Sequence, residues 1–127
     1  MSIDEKYDLL FKALCHHQRR QLLDLLRDGP QTTGALCTAL PALDRCTVMQ
    51  HLGVLEKAGL IAIERRGRER WNHLDAMPLY DLQQRWIGPY AAHAIAVLGA
   101  LGQAAPTDCD ASDVALSRQL NDIYHSD

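Results

Sequence analysis

Residues 43–63, LDRCTVMQHLGVLEKAGLIAI, constrain the fold more than any other stretch of the chain. Val48, Leu52 and Leu55 recur at i, i+4 and i+7, the spacing that lines up apolar side chains on one face of a helix. Asp44 stands at the N-cap position, where a carboxylate accepts an N–H from the first turn and complements the helix dipole. Lys57 falls in the last turn and Gly59 just beyond it, which is stop chemistry. The opposite face carries Arg45, Cys46, Thr47, Met49, Gln50 and Gly53, with no acid before Glu56. One oily face and donors near the N-terminal end suit a DNA major groove, where arginine bonds guanine and glutamine adenine. An amphipathic surface helix has the same pattern. The neighbouring segments distinguish the two.

Upstream, Tyr7, Leu10, Phe11 and Leu14 form the stripe of a first helix over 4–15. His16-His17-Gln18 interrupts it, and Leu22, Leu23, Leu25 and Leu26 form the inner face of a second helix over 18–28, ended by Gly29-Pro30. Thr32 or Thr33 caps a short third helix with Leu36 and Leu40 inward, and Pro41 stops it. A short helix, a turn over 41–44 and a longer helix with a polar N-terminal half make a helix-turn-helix. After Gly59 the period changes. Leu60–Ile63 is a β-prone run, Glu64–Arg70 a charged turn centred on Gly67, and Trp71, His73 and Leu74 a second strand. A two-stranded hairpin directly after such a helix is a wing. The expected fold is therefore mainly α with a two-stranded β wing, a winged helix-turn-helix. Four arginines between positions 65 and 70 are a solvated loop in isolation, but beside a helix-turn-helix they point to phosphate backbone or a minor groove.

Whole-chain charge is a poor guide here. The net value is −3 and the pI about 6.0, yet residues 45–70 hold six basic and three acidic side chains, and the acidic excess lies in residues 106–127. Pro78 can start a further helix, which Gly88-Pro89 should kink or break. The continuation YAAHAIAVLGALG is apolar nearly all round and too short for a bilayer, so it calls for burial against a second subunit. Residues 1–104 thus read as a DNA-binding and dimerisation domain. Residues 105–127 read as an acidic linker and tail, either disordered or forming a short helix over 113–124. MSIDEKYD lacks the apolar core of a signal peptide, and four cysteines without CxxC spacing suit reduced thiols, so the cytoplasm is the expected compartment and no membrane partner is expected.

With these elements in place the chain resembles the ArsR/SmtB-type winged helix-turn-helix repressors. The resemblance is carried by LFKALCHHQRRQLLDLL at 10–26, TTGALCTAL at 32–40, TVMQHLGVLEKAGLI at 47–61 and RRGRERWNHL at 65–74. RWIGPY at 85–90 is similar to a subgroup with Trp-x-x-Pro-Tyr in its last helix. The resemblance implies a homodimer paired through first and last helices on a two-fold double-stranded DNA operator. It places family DNA contacts on Thr32, Thr33, Arg45, Cys46, Thr47, Gln50 and His51 and on the wing arginines Arg65, Arg66 and Arg68. In the family a thiolate metal site uses a Cys-Val-Cys-type pair at the start of the third helix, where this chain has Thr32 and Gly34. A second family site uses Asp, His and Glu on the last helix, where only Asp81 and His93 stand. A transition metal needs three or four converging donors, so no metal ligand and no cofactor is assigned.

Cys46, in the first helical turn beside Arg45, lies in the electropositive kind of setting in which cysteines become reactive, and is the candidate redox residue. The plainer reading is a small residue at a groove contact. Cys15 and Cys37 read as packed, Cys109 as exposed. His51, at the edge of the apolar stripe, either donates to a phosphate or packs. His93, Trp71 and Trp86 read as core or interface residues. An enzyme is not expected: no glycine-rich phosphate loop, HExxH, nucleophile elbow or close carboxylate pair is present. The competing readings are a metal-responsive repressor of the same family and a winged-helix protein-contact module. No residue identifies an effector.

Overall fold

The computed structural model describes residues 2–102. The acidic tail, the helix considered at 113–124 and Cys109 lie outside the described residues. In order, the chain forms α1 (Ile3–Leu14), α2 (His17–Arg27), β1 (Gln31–Thr32), α3 (Thr33–Ala39), α4 (Arg45–Lys57), β2 (Ile61–Arg66), β3 (Glu69–Leu74), α5 (Met77–Leu82), a π-helical stretch (Gln83–Ile87) and α6 (Gly88–Gly102). By internal contacts it divides into two units, Met1–Ile87 and Gly88–Asp127.

The helix ends follow from local chemistry. Ser2 and Glu5 form a reciprocal capping box at the start of α1, and His16 caps α2 by accepting from Gln18 N–H through Nδ1 at 3.2 Å. α4 ends in a Schellman motif: Leu60 N–H donates to Leu55 O at 3.0 Å and Gly59 N–H to Glu56 O at 2.9 Å. Gly59 has φ +78°, which an L side chain adopts only under strain. This turn delivers Leu60 into the core and starts β2 at once.

The first unit closes around Leu10, Ala13, Leu22, Leu26, Leu36, Val48, Leu52, Leu55, Leu60, Ile61 and Leu82. The stripe Val48, Leu52, Leu55 is fully buried, as its period requires. Truncating Leu52 to alanine leaves a cavity worth about 2–5 kcal/mol, so this face anchors α4 to the rest of the unit.

The structure refines the expectations at three places. The expected two-stranded wing is present as β2 and β3, and a third strand that was not expected joins it in the order β1-β3-β2, because Gln31 and Thr32 pair antiparallel with Asn72 and Trp71. The strands of the hairpin run further into the arginine-rich segment than its charge suggested, since Glu64↔Trp71, Arg65↔Arg70 and Arg66↔Glu69 all pair and only Gly67 and Arg68 turn. The break expected at Gly88-Pro89 takes the form of the π-helical stretch before it. Pro89 follows it just after Gly88, and wider i→i+5 bonding is one way a helix accommodates a proline that supplies no N–H.

In the second unit α6 is apolar around its circumference, and its large side chains, among them Ile95, Leu98 and Leu101, are exposed. No helix among the described residues is long and apolar enough to cross a membrane.

Candidate nucleic-acid interface

The cap at Asp44 organises the site. Its Oδ1 accepts from Thr47 N–H at 2.7 Å, and this bond, with further ones from the Thr47 hydroxyl and Cys46 N–H, holds the carboxyl below its ordinary value of 3.8. The first turn of α4 is thereby fixed with Arg45, Cys46 and Gln50 exposed and Thr47 and Met49 half-buried.

At the start of α3, Thr32 plays two parts. Its backbone pairs with Trp71, while its hydroxyl accepts from Ala35 N–H at 3.1 Å as the helix cap. Thr33 is turned inward and buried, its hydroxyl accepting from Asn72 Nδ2 at 3.1 Å; the same Nδ2 donates to Gln31 O at 3.2 Å. Asn72 is itself fully buried, so the wing strand β3 is bonded to the beginning of the helix-turn-helix from inside.

Strand alternation divides the wing arginines. Arg66 forms an ion pair with Glu64 and lies over the Trp71 ring at 5.0 Å, on the face that also carries His73, 3.3 Å from Glu64. The Arg66 bond holds Glu64 below and Arg66 above their ordinary values. Arg65 and its cross-strand partner Arg70 occupy the other face. Arg70 reaches Glu56 of α4 at 3.4 Å, a bond that spans wing and helix.

Between α3, α4 and the wing lies a groove of about 740 Å³. It is lined by Thr32, Thr33, Gly34, Arg45, Cys46, Met49, Gln50, Arg65, Arg68, Glu69 and Arg70. Of the residues expected from sequence, Thr32, Thr33, Arg45, Cys46, Gln50, Arg65 and Arg68 come together there. Thr47, His51 and Arg66 do not line it. Arg66 is held instead by Glu64 and lies over the Trp71 ring. For His51 the reason is a buried position in which Nδ1 lies 3.3 Å from Arg19 and Nε2 3.3 Å from Gln18, so of the two readings left open for it, packing describes the placement and phosphate contact does not. Arg70 was missed. The signal was the register: a residue directly opposite Arg65 must share its face.

The groove therefore combines four cations, one acid and short polar side chains on elements bonded rigidly to one another. That chemistry suits a polyanion whose backbone meets the wing and whose base edges meet α4. It does not suit a transition metal. Thr32 and Gly34 supply no soft donor, and among the described residues no group of three or more His, Cys, Asp or Glu is placed to hold one.

Comparison with known proteins agrees with this geometry. Residues 15–64 match the model of a helix-turn-helix domain family. The chain is 35% identical over 86 residues to the uncharacterized HTH-type transcriptional regulator YuzN of Bacillus subtilis, covering 63% of this chain and 94% of that protein. It is 31% identical over 72 residues to the transcriptional repressor SdpR of the same organism, covering 57% and 79%. Among solved structures, the ArsR family transcriptional regulator RHA00566 superposes with a TM-score of 0.65 at 25% identity, covering 72% of this chain and 92% of that one. The homodimeric winged helix-turn-helix DNA-binding domain Mb0332 of Mycobacterium bovis superposes with a TM-score of 0.55 at 27% identity, covering 70% and 84%. The chain belongs to the ArsR family of helix-turn-helix transcriptional regulators.

Proposed function

We propose that this regulator is a homodimeric repressor that reads a two-fold operator in double-stranded DNA, with α4 in the major groove and the wing on the adjacent backbone. The observation that carries the reading is the single groove that gathers Thr32, Arg45, Gln50, Arg65 and Arg68 from three elements. Gln50 and Arg45 read base edges; Arg65 and Arg68 neutralise phosphates. SdpR, a repressor, and the homodimeric Mb0332 domain support the finer assignment. Residues 1–104 act together as the DNA-binding and dimerisation domain, with α1 and α6 meeting a second copy that covers the exposed apolar side chains of α6. Its place of action is the cytoplasm, where the DNA is. Cys46, exposed on the groove wall, adds a thiol that chemical modification can reach.

The test is footprinting and a salt titration on a duplex from the region upstream of the coding sequence. Protection of two half-sites centred roughly 34–36 Å apart is expected, with affinity falling steeply as salt rises. Salt-insensitive binding to DNA, or none at all, would assign the domain to protein contact instead.

A further inference from the structure

Arg19 and His51 are buried polar residues that neither the groove nor apolar packing accounts for. Arg19, on α2, donates from Nη2 to Lys12 O at 2.8 Å and from Nε to Ala13 O at 3.0 Å, satisfying carbonyls that the end of α1 leaves open. Its Nη1 lies 3.3 Å from His51 Nδ1. A guanidinium has donors only, so Nδ1 must accept and the imidazole is neutral with its proton on Nε2. That proton points at Gln18 Oε1, 3.3 Å away. One guanidinium therefore joins the end of α1, the start of α2 and the middle of α4.

His51 follows Gln50 directly, and Gln50 lines the groove. The buried stripe of Val48, Leu52 and Leu55 holds α4 against the core, but apolar packing is non-directional and permits small rotations and slides. Hydrogen bonds to a ring in the middle of the helix do not. Resting on the DNA-binding reading above, we propose that Arg19 and His51 are positioning residues for DNA recognition, fixing the rotation of α4 at which Arg45 and Gln50 face the groove.

This contact exists only with a neutral ring. A proton on Nδ1 turns the acceptor into a donor and sets two cations face to face. The charges acting on His51 oppose that proton: Arg19 from α2, and His16 and His17 from its start, with the His16 ring 4.7 Å from that of His51. The end of α1 contributes Cys15, whose Sγ is 3.5 Å from Arg19 Nη2. α3 carries no Asp, Glu, Lys, Arg or His, and the charged residues of β2 lie in the wing beyond Ile63. Burial first, then His16, Arg19 and His17, hold His51 below its ordinary value of 6.5. Acidification therefore releases α4. The sign is diagnostic, because protonating exposed histidines adds positive charge and strengthens attraction to DNA.

The experiment follows affinity for the labelled upstream duplex from about pH 7.5 to about pH 5.5, with helical content monitored by circular dichroism. Wild type is expected to lose affinity as pH falls, most steeply toward the acid end, because His51 is held below 6.5. His51→Gln, which keeps an acceptor toward Arg19 and a donor toward Gln18, is expected to bind as wild type at the upper pH and to lose the dependence. Arg19→Lys, without the fork, should bind weakly throughout. His16→Ser, which keeps a cap on α2 but removes one charge that opposes the His51 proton, should keep the dependence and move it toward higher pH. Parallel profiles for wild type and His51→Gln, or a profile abolished by His16→Ser, overturn the proposal; absence of binding at the upper pH overturns the DNA-binding reading instead. Long-range nitrogen–proton NMR of the wild-type ring gives a second answer that needs no variant. A proton on Nε2 is expected, and one on Nδ1 overturns the assignment.

Discussion

Asn72 of β3 donates to the Thr33 hydroxyl of α3 at 3.1 Å, in the buried seam between wing and helix-turn-helix. Both residues are almost without solvent contact, so neither has water to fall back on. Replacing Asn72 with alanine strands the Gln31 carbonyl as well as the hydroxyl. Asn72→Ala is predicted to destabilise the fold by about 1–3 kcal/mol, read as a lower denaturant midpoint. Asn72→Asp should cost more, since it removes both donated bonds and buries a charge. A midpoint unchanged in both variants would mean that the seam is held by other contacts.

The cap at Asp44 gives a pH prediction. Its folded value is lowered, so its contribution is fully present above the ordinary 3.8 and is lost as pH falls from there through the folded value. Asp44→Ala should melt below wild type at neutral pH, and the two curves should converge in acid. Asp44→Asn, which still accepts an N–H, should lie near wild type at neutral pH. Convergence toward alkaline pH would contradict the assignment.

The wing arginines should separate by face. Arg65→Ala and Arg68→Ala are expected to weaken binding to every sequence alike and to reduce the salt slope by about one each. Arg66→Ala, whose side chain is spent on Glu64 and Trp71, should change DNA affinity least. Gln50→Ala should instead change which base is preferred, by about 1–3 kcal/mol of discrimination. Competition binding against a panel of single-base variants reads all four, and equal loss of preference in Arg68→Ala and Gln50→Ala would refute the division of labour.

The apolar surface of α6 predicts self-association. Leu101 and Ile95 are 79% and 70% exposed in the single chain, too much greasy surface for a free helix. Sedimentation at micromolar concentration should report a dimer, and Ile95→Asp with Leu98→Asp a folded monomer with weakened DNA binding. A wild-type monomer would remove the proposed assembly.

Oxidation of Cys46 should vacate the DNA. A sulfenic acid or mixed disulfide on the groove wall adds bulk where base contacts form. Losing one or two such contacts per half-site costs about 1–3 kcal/mol each, twice over in a dimer. Peroxide or oxidised glutathione should release wild type but not Cys46→Ser. If wild type stays bound with its thiol demonstrably modified, Cys46 is only a small residue at a contact surface.

The helices were legible because each carries its own punctuation. Asp44 and Gly59 bracket α4, and Val48, Leu52 and Leu55 state which side is buried. β1 was not legible. Two residues have no period, and Thr32 looks complete as a helix cap, so its second role as a strand partner leaves no mark in the sequence. The site was readable by residue type but not by direction: Arg65 and Arg66 are the same amino acid one position apart, yet Arg65 lines the groove while Arg66 is held by Glu64 and Trp71. His51 could not be placed because its partner Arg19 lies 32 residues away and itself resembles an ordinary surface arginine of α2.

Both strands of the wing are fastened at one residue. Leu60, delivered by the Schellman turn, precedes β2, and its carbonyl accepts from Asp75 N–H at 2.8 Å just after β3 ends. The ribbon is thus clamped at its root, and the Arg70–Glu56 pair ties it to α4 again nearer Gly67. These ties fix the distance between α4 and the base of the ribbon, so in the proposed DNA-bound arrangement that distance would serve as a gauge of groove spacing.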